Sequence, residues 1–533
     1  MTPPGIDAAT FAHALDGFRA AVGTEWVFTS DDDLDLYRDA FSPAWGEPEE
    51  RRASAAVAPA STEQVQAVMR VAHALRIPVY PISTGKNLGY GGSAPNLSGS
   101  VVLDLKRMNR VIAVDDKRHF AIVEPGVSYF DLYDHIRTRN LQVWLDVPGP
   151  GWGSPIGNAL DHGVGDTWGI YRNHFSAHCG MEVVLADGTL VRTGMGALPG
   201  ADSWAEYPYG FGPTVDGLFA QSNFGVVTKM GFWLMPAPET YGAITISVPR
   251  RQDIVPLIEF ANWAEHQGLC GETVFSSPAG QEQDHPDFQA LVQDGTFPSD
   301  DALNTFAAAR GKAFWSLTLQ FYGPTEVVRG NQQASRRHAL ARMPQASVDG
   351  MRELALPLSD ADFATVDPQA FGIPTLQAFA LTARSPRNPQ GSDGHLFFSP
   401  ILPKSGHALM QYQRVMWEEF GQAGFPRQIG PFTPPNTWMF RAYACLAVFL
   451  VSRSDTEANQ RIRTFFHRLI EVAAAHGWGE YRTAPLFQDA VRATYNFNDN
   501  ALLHLHERLK QAVDPHGIIA AGRYGIWPEG TRP

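Results

Sequence analysis

At 533 residues the chain exceeds the size at which one hydrophobic core keeps growing, so two or more lobes are expected. A hydrophobic share of 44% with 18% charged residues describes a large globular enzyme and excludes a disordered chain. Lys plus Arg number 42 against 55 for Asp plus Glu, a net charge of −13, which argues against nucleic acid or an anionic membrane surface as partner.

Cys179, Cys270 and Cys445 are scattered and odd in number, with neither a CxxC pair nor zinc spacing, so neither a disulfide scaffold nor a metal site is expected. The opening MTPPGIDAATFAHALDGF lacks a basic stretch followed by an apolar one, so no signal peptide is expected. The longest apolar run, around 442–451, is too short to span a bilayer. The expectation is a cytoplasmic enzyme with no nucleic-acid or membrane partner.

Between 57 and 235 short β-like runs alternate with helical runs and glycine turns. AAVAP (55–59) precedes STEQVQAVMRVAHALR (61–76), where Val65, Val68, Met69, Ala72 and Leu75 recur at helical spacing behind the cap residues Ser61, Glu63 and Gln64. PVYPIS (78–83), SVVLDL (100–105) and FAIVEPGV (120–127) read as strands. In MEVVLADGTLVRTG (181–194) the Ala186-Asp187-Gly188 turn marks a hairpin. After Pro236 longer helical stretches (254–268 and 460–477) mix with strands such as AITISV and FWSLTLQFYG. Segments 278–303 and 383–393 read as loops, and a lobe boundary is placed near 236–242. The tail from 500 reads as one amphipathic helix ending before Asp514-Pro515, then a glycine-rich stretch.

Three glycine-rich turns fall in the first lobe. Ser83-Thr84-Gly85-Lys86-Asn87-Leu88-Gly89-Tyr90-Gly91-Gly92 follows a strand, and its missing Cβ atoms allow backbone N–H groups to converge on an anion such as a diphosphate. A plain glycine-rich turn is the competing reading; the segment is neither Walker A nor GxGxxG. The second turn runs Pro148-Gly149-Pro150-Gly151-Trp152-Gly153-Ser154-Pro155-Ile156-Gly157-Asn158, and the third contains Gly225 and Val227. Three such turns suit a long ligand, a dinucleotide more than a mononucleotide.

The ordered set PISTGKNLGYGG, VEPGVSYFDLYDHI, LDVPGPGWGS, GMEVVLADGTLVRTGMGALPG, YPYGFGPTVDGLFAQSNFGVVTKMGFWLMP, GHLFFSP, GWGEYRT and AVDPHGIIAAGRYGIWP resembles the vanillyl-alcohol oxidase and p-cresol methylhydroxylase family. The match runs from about 55 to 528, more weakly over 240–390. What the resemblance implies is an α+β, two-lobed flavoprotein. Its FAD-binding domain would be 1–240, completed by 491–533, with a cap or substrate domain at 241–490. The activity implied is oxidation of a para-substituted phenol, such as a 4-hydroxybenzyl alcohol or a 4-alkyl- or 4-allylphenol, including lignin-derived ones. Hydride would pass to flavin N5, giving a p-quinone methide, with O2 as the final acceptor and a homodimer or higher homo-oligomer as the assembly.

On the same resemblance His395, in Gly394-His395-Leu396, tethers FAD covalently; a neutral imidazole is a competent nucleophile, and the competing reading is a His hydrogen-bonded at a strand start. Tyr90, Tyr171, Tyr481 and Arg482 match the phenolate-binding group. Arg523 matches an arginine beside the flavin. The cofactor residues implied are Ser83, Thr84, Gly85, Lys86, Asn87, Leu88, Gly89, Gly91, Pro148, Gly151, Gly153, Ser154, Gly157, Asn158, Gly225, Val227, His395 and Arg523.

Three stretches depart from the family pattern. Gly149 stands where relatives carry a proton-handling aspartate, leaving Asp166 and Glu480 as candidate replacements, each equally readable as a structural carboxylate. The segment around Tyr171, GVGDTWGIYRNHF, is two residues longer than usual. The stretch 433–444 lacks the histidines of a REMHH-type segment. Open alternatives are a dehydrogenase with a cytochrome or other acceptor, an enzyme of bulkier or non-phenolic alcohols, and a non-catalytic flavin-binding protein.

Overall fold

Ser61 ends an extended stretch and opens the helix Thr62–Leu75 in the computed structural model, which describes residues 1–385 and 388–529. The Gln64 amide donates to the Ser61 hydroxyl at 3.3 Å, and the Ala60 amide donates to the Gln64 side chain at 2.7 Å. These bonds satisfy N–H groups that a helix start leaves open. The helix buries Val65, Val68, Met69 and Ala72 in a core shared with Ala55–Val57 and Val101–Asp104. Those strands form a sheet in the order Val27–Phe28, Ala55–Val57, Val101–Asp104, Val79–Ile82, parallel except at the first pair. Their unbroken apolar runs are what strands covered on both faces require.

A second, antiparallel sheet runs Val111–Asp115, Phe120–Val123, Val226–Trp233, His178–Val184, Leu190–Arg192. The Ala186-Asp187-Gly188 turn closes its last hairpin, with Gly188 at φ +83°. Far along the chain, Ile518–Ala520 packs into the same core as the first sheet. The Val79 amide donates to Ile518, and the Ala520 amide to Val79, both at 2.7 Å. This docking brings Arg523 beside the loop that follows Val79–Ile82.

The stretch from 240 onward is organised around an antiparallel sheet ordered Thr273–Ser276, Trp315–Gly323, Thr240–Val248, Ser347–Ala355. The helices Ile254–His266 and Thr456–Ala475 lie where the periodicity put them, and both contribute to one large aromatic-rich core. Strand Gly394–Phe398 pairs with Ala447–Val451, setting His395 opposite Leu450.

One loop reading is corrected. Segment 278–303 contains the helix Pro286–Leu291 and the start of Asp300–Ala309, capped by His285 and Ser299. A proline in the first turn and a serine cap start helices, although overall Pro, Gly and Asp content disguised them. Pro386 and Arg387 of the expected loop 383–393, and residues 530–533 of the tail, lie outside the described residues. The tail helix Phe497–Val513 ends before Asp514, as expected. Among the described residues no helix is long and apolar enough to cross a membrane.

Candidate active site

A cavity of about 640 Å³ opens where the three glycine turns meet. Ser83, Thr84, Gly85, Lys86, Asn87 and Leu88 line it from the first turn. Pro148, Gly153, Ser154, Gly157 and Asn158 line it from the second, Gly225 and Val227 from the third. Gly85 sits at φ +66°, a conformation that L side chains adopt at a cost. A Cβ at Gly157 would fall 2.3 Å from Ser83 Oγ, and one at Gly225 would fall 2.5 Å from Val183 Cγ1. The backbones therefore approach as closely as glycine permits along the cavity wall.

Three expected cofactor residues stand behind this wall. A Cβ at Gly89 would lie 3.1 Å from the His395 carbonyl oxygen, and one at Gly91 would lie 2.6 Å from the Pro485 ring. The Gly151 amide donates to the Thr375 carbonyl at 2.8 Å. Each shapes a neighbour of the cavity.

His395 lines the cavity between two aromatic edges, Phe41 at 4.9 Å and Phe397 at 4.5 Å between ring centroids. Its buried Nδ1 has no hydrogen-bond partner among the described residues. Burial pulls the imidazole down to about 4, so the ring is neutral near pH ~7 and keeps a free lone pair.

Tyr481 and Arg482 follow Glu480, whose carboxylate accepts the Ser399 amide at 2.6 Å. Glu480 is buried, and burial pushes its carboxyl well above the usual range. It is absent from the cavity lining, so the geometry makes it an anchor for the two residues after it. The Arg482 guanidinium lies 3.9 Å from the centroid of the Tyr90 ring and 5.4 Å from that of Tyr481. All three line the cavity. The Tyr481 hydroxyl is buried without a hydrogen-bond partner among the described residues, and burial raises its phenol against the pull of Arg482.

Asp161, which the sequence did not single out, joins these groups. It accepts Asn87 Nδ2 at 2.7 Å and Arg523 Nη2 at 2.9 Å, takes the Tyr524 hydroxyl, and lies 3.8 Å from Arg482 Nη1. Burial opposes its charge, yet Arg523 and Arg482 hold the carboxyl below the ordinary range. Arg523 also donates to the Tyr80 hydroxyl at 2.7 Å. Sequence offers no local sign of this hub, because its partners are 74, 321 and 362 residues away.

Asp166 and Gly149 also line the cavity. Asp166 accepts Gln369 Nε2 at 3.3 Å. Burial, then Glu272 and Asp146, push its carboxyl well above the usual range despite Arg172. Tyr171 is placed differently from expectation. It is absent from the described cavity lining and packs half-buried beside Trp144 and Trp168 against the Tyr241–Tyr322–Phe371 cluster. The next residue, Arg172, is the one turned inward, at 1% exposure.

A glycine-walled cavity with a neutral histidine and an arginine–tyrosine pole defines a flavoprotein oxidoreductase, and a family model described as "FAD binding domain" matches residues 53–194. The flavoprotein subunit of 4-cresol dehydrogenase [hydroxylating] from Pseudomonas putida is 32% identical over 541 residues, covering 99% of this chain and 98% of that one. Among solved structures, 4-ethylphenol oxidase from Gulosibacter chungangensis, as its isoeugenol complex, superposes with a TM-score of 0.81 at 32% identity over 100% of both chains. p-Cresol methylhydroxylase with substrate bound gives 0.81 at 30% over 99% of both. The chain belongs to the p-cresol methylhydroxylase and vanillyl-alcohol oxidase family of FAD-dependent oxidoreductases. Its fold is the α+β, FAD-binding fold of that family.

Proposed function

We propose that the enzyme oxidises a para-substituted phenol held as its phenolate by Arg482, Tyr481 and Tyr90, with O2 as the final acceptor. The observation that carries this reading is the fixed cation at Arg482, close to the rings of Tyr90 and Tyr481 on a cavity wall. A free phenol ionises near pH ~10, so holding the anion near pH ~7 needs a permanent positive charge and O–H donors. Arg482 supplies the charge, and Tyr90 and Tyr481 supply the donors. Ionisation pushes electron density to the para carbon and makes its benzylic hydride a better leaving group.

The bound isoalloxazine supplies the two-electron acceptor for that hydride. Ser83–Leu88, Gly153–Asn158, Gly225 and Val227 would cradle FAD, His395 would bond it covalently, and Arg523 would offset negative charge beside it. FAD would sit on 1–240 together with 491–533, and 241–490 would close over the substrate. Asp166 takes the proton-handling role that Gly149 cannot fill. Tyr171 is left out of the substrate group. We place the enzyme in the cytoplasm as a homodimer.

A second acceptor is favoured by the relative named as a flavoprotein subunit of a dehydrogenase. Hydrogen peroxide formation by the aerobic holoenzyme with vanillyl alcohol, eugenol or 4-ethylphenol tests the oxidase reading. Turnover with an artificial electron acceptor but no peroxide would move it to the dehydrogenase branch.

A further inference from the structure

Two of the three stretches that depart from the family pattern meet in one buried network, and the third, at Gly149, lines the cavity beside it. Gly149 and Asp166 line the cavity, as does Trp438 from 433–444. Thr437, beside Trp438, donates to Glu272 at 3.2 Å, and its carbonyl accepts Arg172 from the lengthened segment. The Glu272 amide donates to the Thr167 carbonyl at 2.9 Å, next to Asp166. Thr167 in turn donates its amide to Asp146 at 2.8 Å, and Asp146 is hydrogen-bonded to His174 at 2.8 Å. His174 reaches Asn158, back on the cavity wall, at 2.5 Å.

Charge does not balance in this network. Four carboxyls, Asp146, Asp166, Glu265 and Glu272, face two fixed cations, Arg172 and Lys404, with His174 and His266 as further basic groups; burial, then Arg441 and Lys404, lower the His266 imidazole and favour its neutral form. Even a protonated His174 leaves one negative charge in excess, and a buried uncompensated carboxylate takes up a proton instead. Asp367 adds further negative potential at Asp166, and Gln320 Nε2 donates to Glu272 at 3.4 Å. Arg172 keeps Nε and Nη1 without hydrogen-bond partners among the described residues, although it is fully buried.

We propose that the cluster holds its extra proton on Asp166 or Glu272, whose carboxyls have only neutral hydrogen-bond donors among the described residues, and that these two perform the transfer that Gly149 cannot, with Glu272 as the store behind the cavity-facing carboxyl. The proposal rests on the phenol-oxidation reading. After the hydride leaves with its C–H electron pair, the oxygen of water bonds to the benzylic carbon. Its proton passes to Asp166 in the state in which the stored proton rests on Glu272. The ring recovers aromaticity and its oxygen becomes phenolate again. One proton then leaves the pair for solvent, restoring the starting state. Burial, ahead of the opposing Arg172, raises the Glu272 carboxyl above the usual range, which favours a proton stored there.

Two measurements on the FAD-loaded enzyme test this. An infrared pH titration should show a protonated-carboxyl band persisting at pH ~7 that weakens in Glu272→Gln and survives in Glu272→Asp. Stopped-flow flavin reduction and alcohol formation with 4-ethylphenol should separate: Glu272→Gln slows alcohol formation by about 10-fold and Asp166→Asn by roughly 100-fold, each well beyond its effect on reduction. The pH dependence of alcohol formation near ~7 should disappear in Glu272→Gln and return in Glu272→Asp. An unchanged infrared band and pH profile in Glu272→Gln would overturn the proposal, as would equal slowing of both steps. If no para-phenol reduces the wild-type flavin, the phenol reading fails, while the infrared comparison still decides whether Glu272 holds the proton.

Discussion

The Arg482 guanidinium lies over the face of Tyr90, 3.9 Å from carbon to ring centroid. Stacking fixes the cation in place before any substrate arrives, and Asp161, 3.8 Å from Nη1, adds an ionic contact. Replacing Arg482 with Lys keeps a charge but loses the planar group that stacks on Tyr90. The expected result is a fall in kcat/KM for para-phenols of about 10²–10³-fold, the cost of losing one preorganised charge-stabilising group. The phenolate absorbance of a bound, slowly reacting 4-alkylphenol should fade in the same variant. Steady-state kinetics and difference spectra check both.

Asp161 is the buried counterion of Arg482 and Arg523, so Asp161→Asn leaves two arginines short of negative charge. Breaking a buried pair from one side costs about 3–5 kcal/mol. The sign of the pH effect follows from the lowered carboxyl. Its stabilising contribution is fully present above the unfolded carboxylate range and is lost as pH falls through the lower folded value. Thermal unfolding followed from pH ~7 down to ~3 should show a steeper acid loss in wild type than in Asp161→Asn.

His395 lies with Nδ1 unpartnered between Phe41 and Phe397, and His395→Ala should bind FAD reversibly. Acid precipitation should release all flavin from this variant and none from wild type. Gly89→Ala places a Cβ 3.1 Å from the His395 carbonyl at φ +82°, so it should shift that strand and lower the covalently bound fraction. With an imidazole held at about 4, covalent attachment should be insensitive to pH above ~6 and slow as pH falls toward 4 and the lone pair is protonated. In-gel flavin fluorescence of apoprotein incubated with FAD across that range checks this.

How much of this was legible in sequence depends on how local each signal was. The Ser61 cap and the Asp187-Gly188 turn act over a few residues, and both stand as read. Tyr90, Arg482 and His395 were reached through ordered motifs, and the cavity gathers all three. Asp161 carries no local mark, because it becomes a hub only when the tail docks on Val79 and delivers Arg523 and Tyr524. Glu272 was invisible for the same reason. Tyr171 was reached through the least regular of the matched segments, and it packs beside the Tyr241–Tyr322–Phe371 cluster rather than on the described cavity lining.

Gly149→Asp tests whether the altered wall tolerates the carboxylate it lacks. A Cβ there meets only Ala378 Cβ, at 3.3 Å, so a small adjustment of the loop around Ala378 accommodates it and the variant should fold with FAD bound. A second carboxylate on the same cavity should take over proton handling and partly rescue Asp166→Asn. The readout is the ratio of alcohol to alkene formed from 4-ethylphenol, which should rise in the double variant over Asp166→Asn alone.

Phenolate-driven hydride transfer is tested most directly by anaerobic stopped-flow absorbance of the holoenzyme mixed with 4-ethylphenol or vanillyl alcohol, with Arg482→Lys alongside. Rapid bleaching of the oxidised flavin band in wild type, slowed by about 10²-fold or more in the variant, is the expected result. A flavin that dithionite bleaches but no para-phenol does, or equal rates in the two proteins, would contradict it.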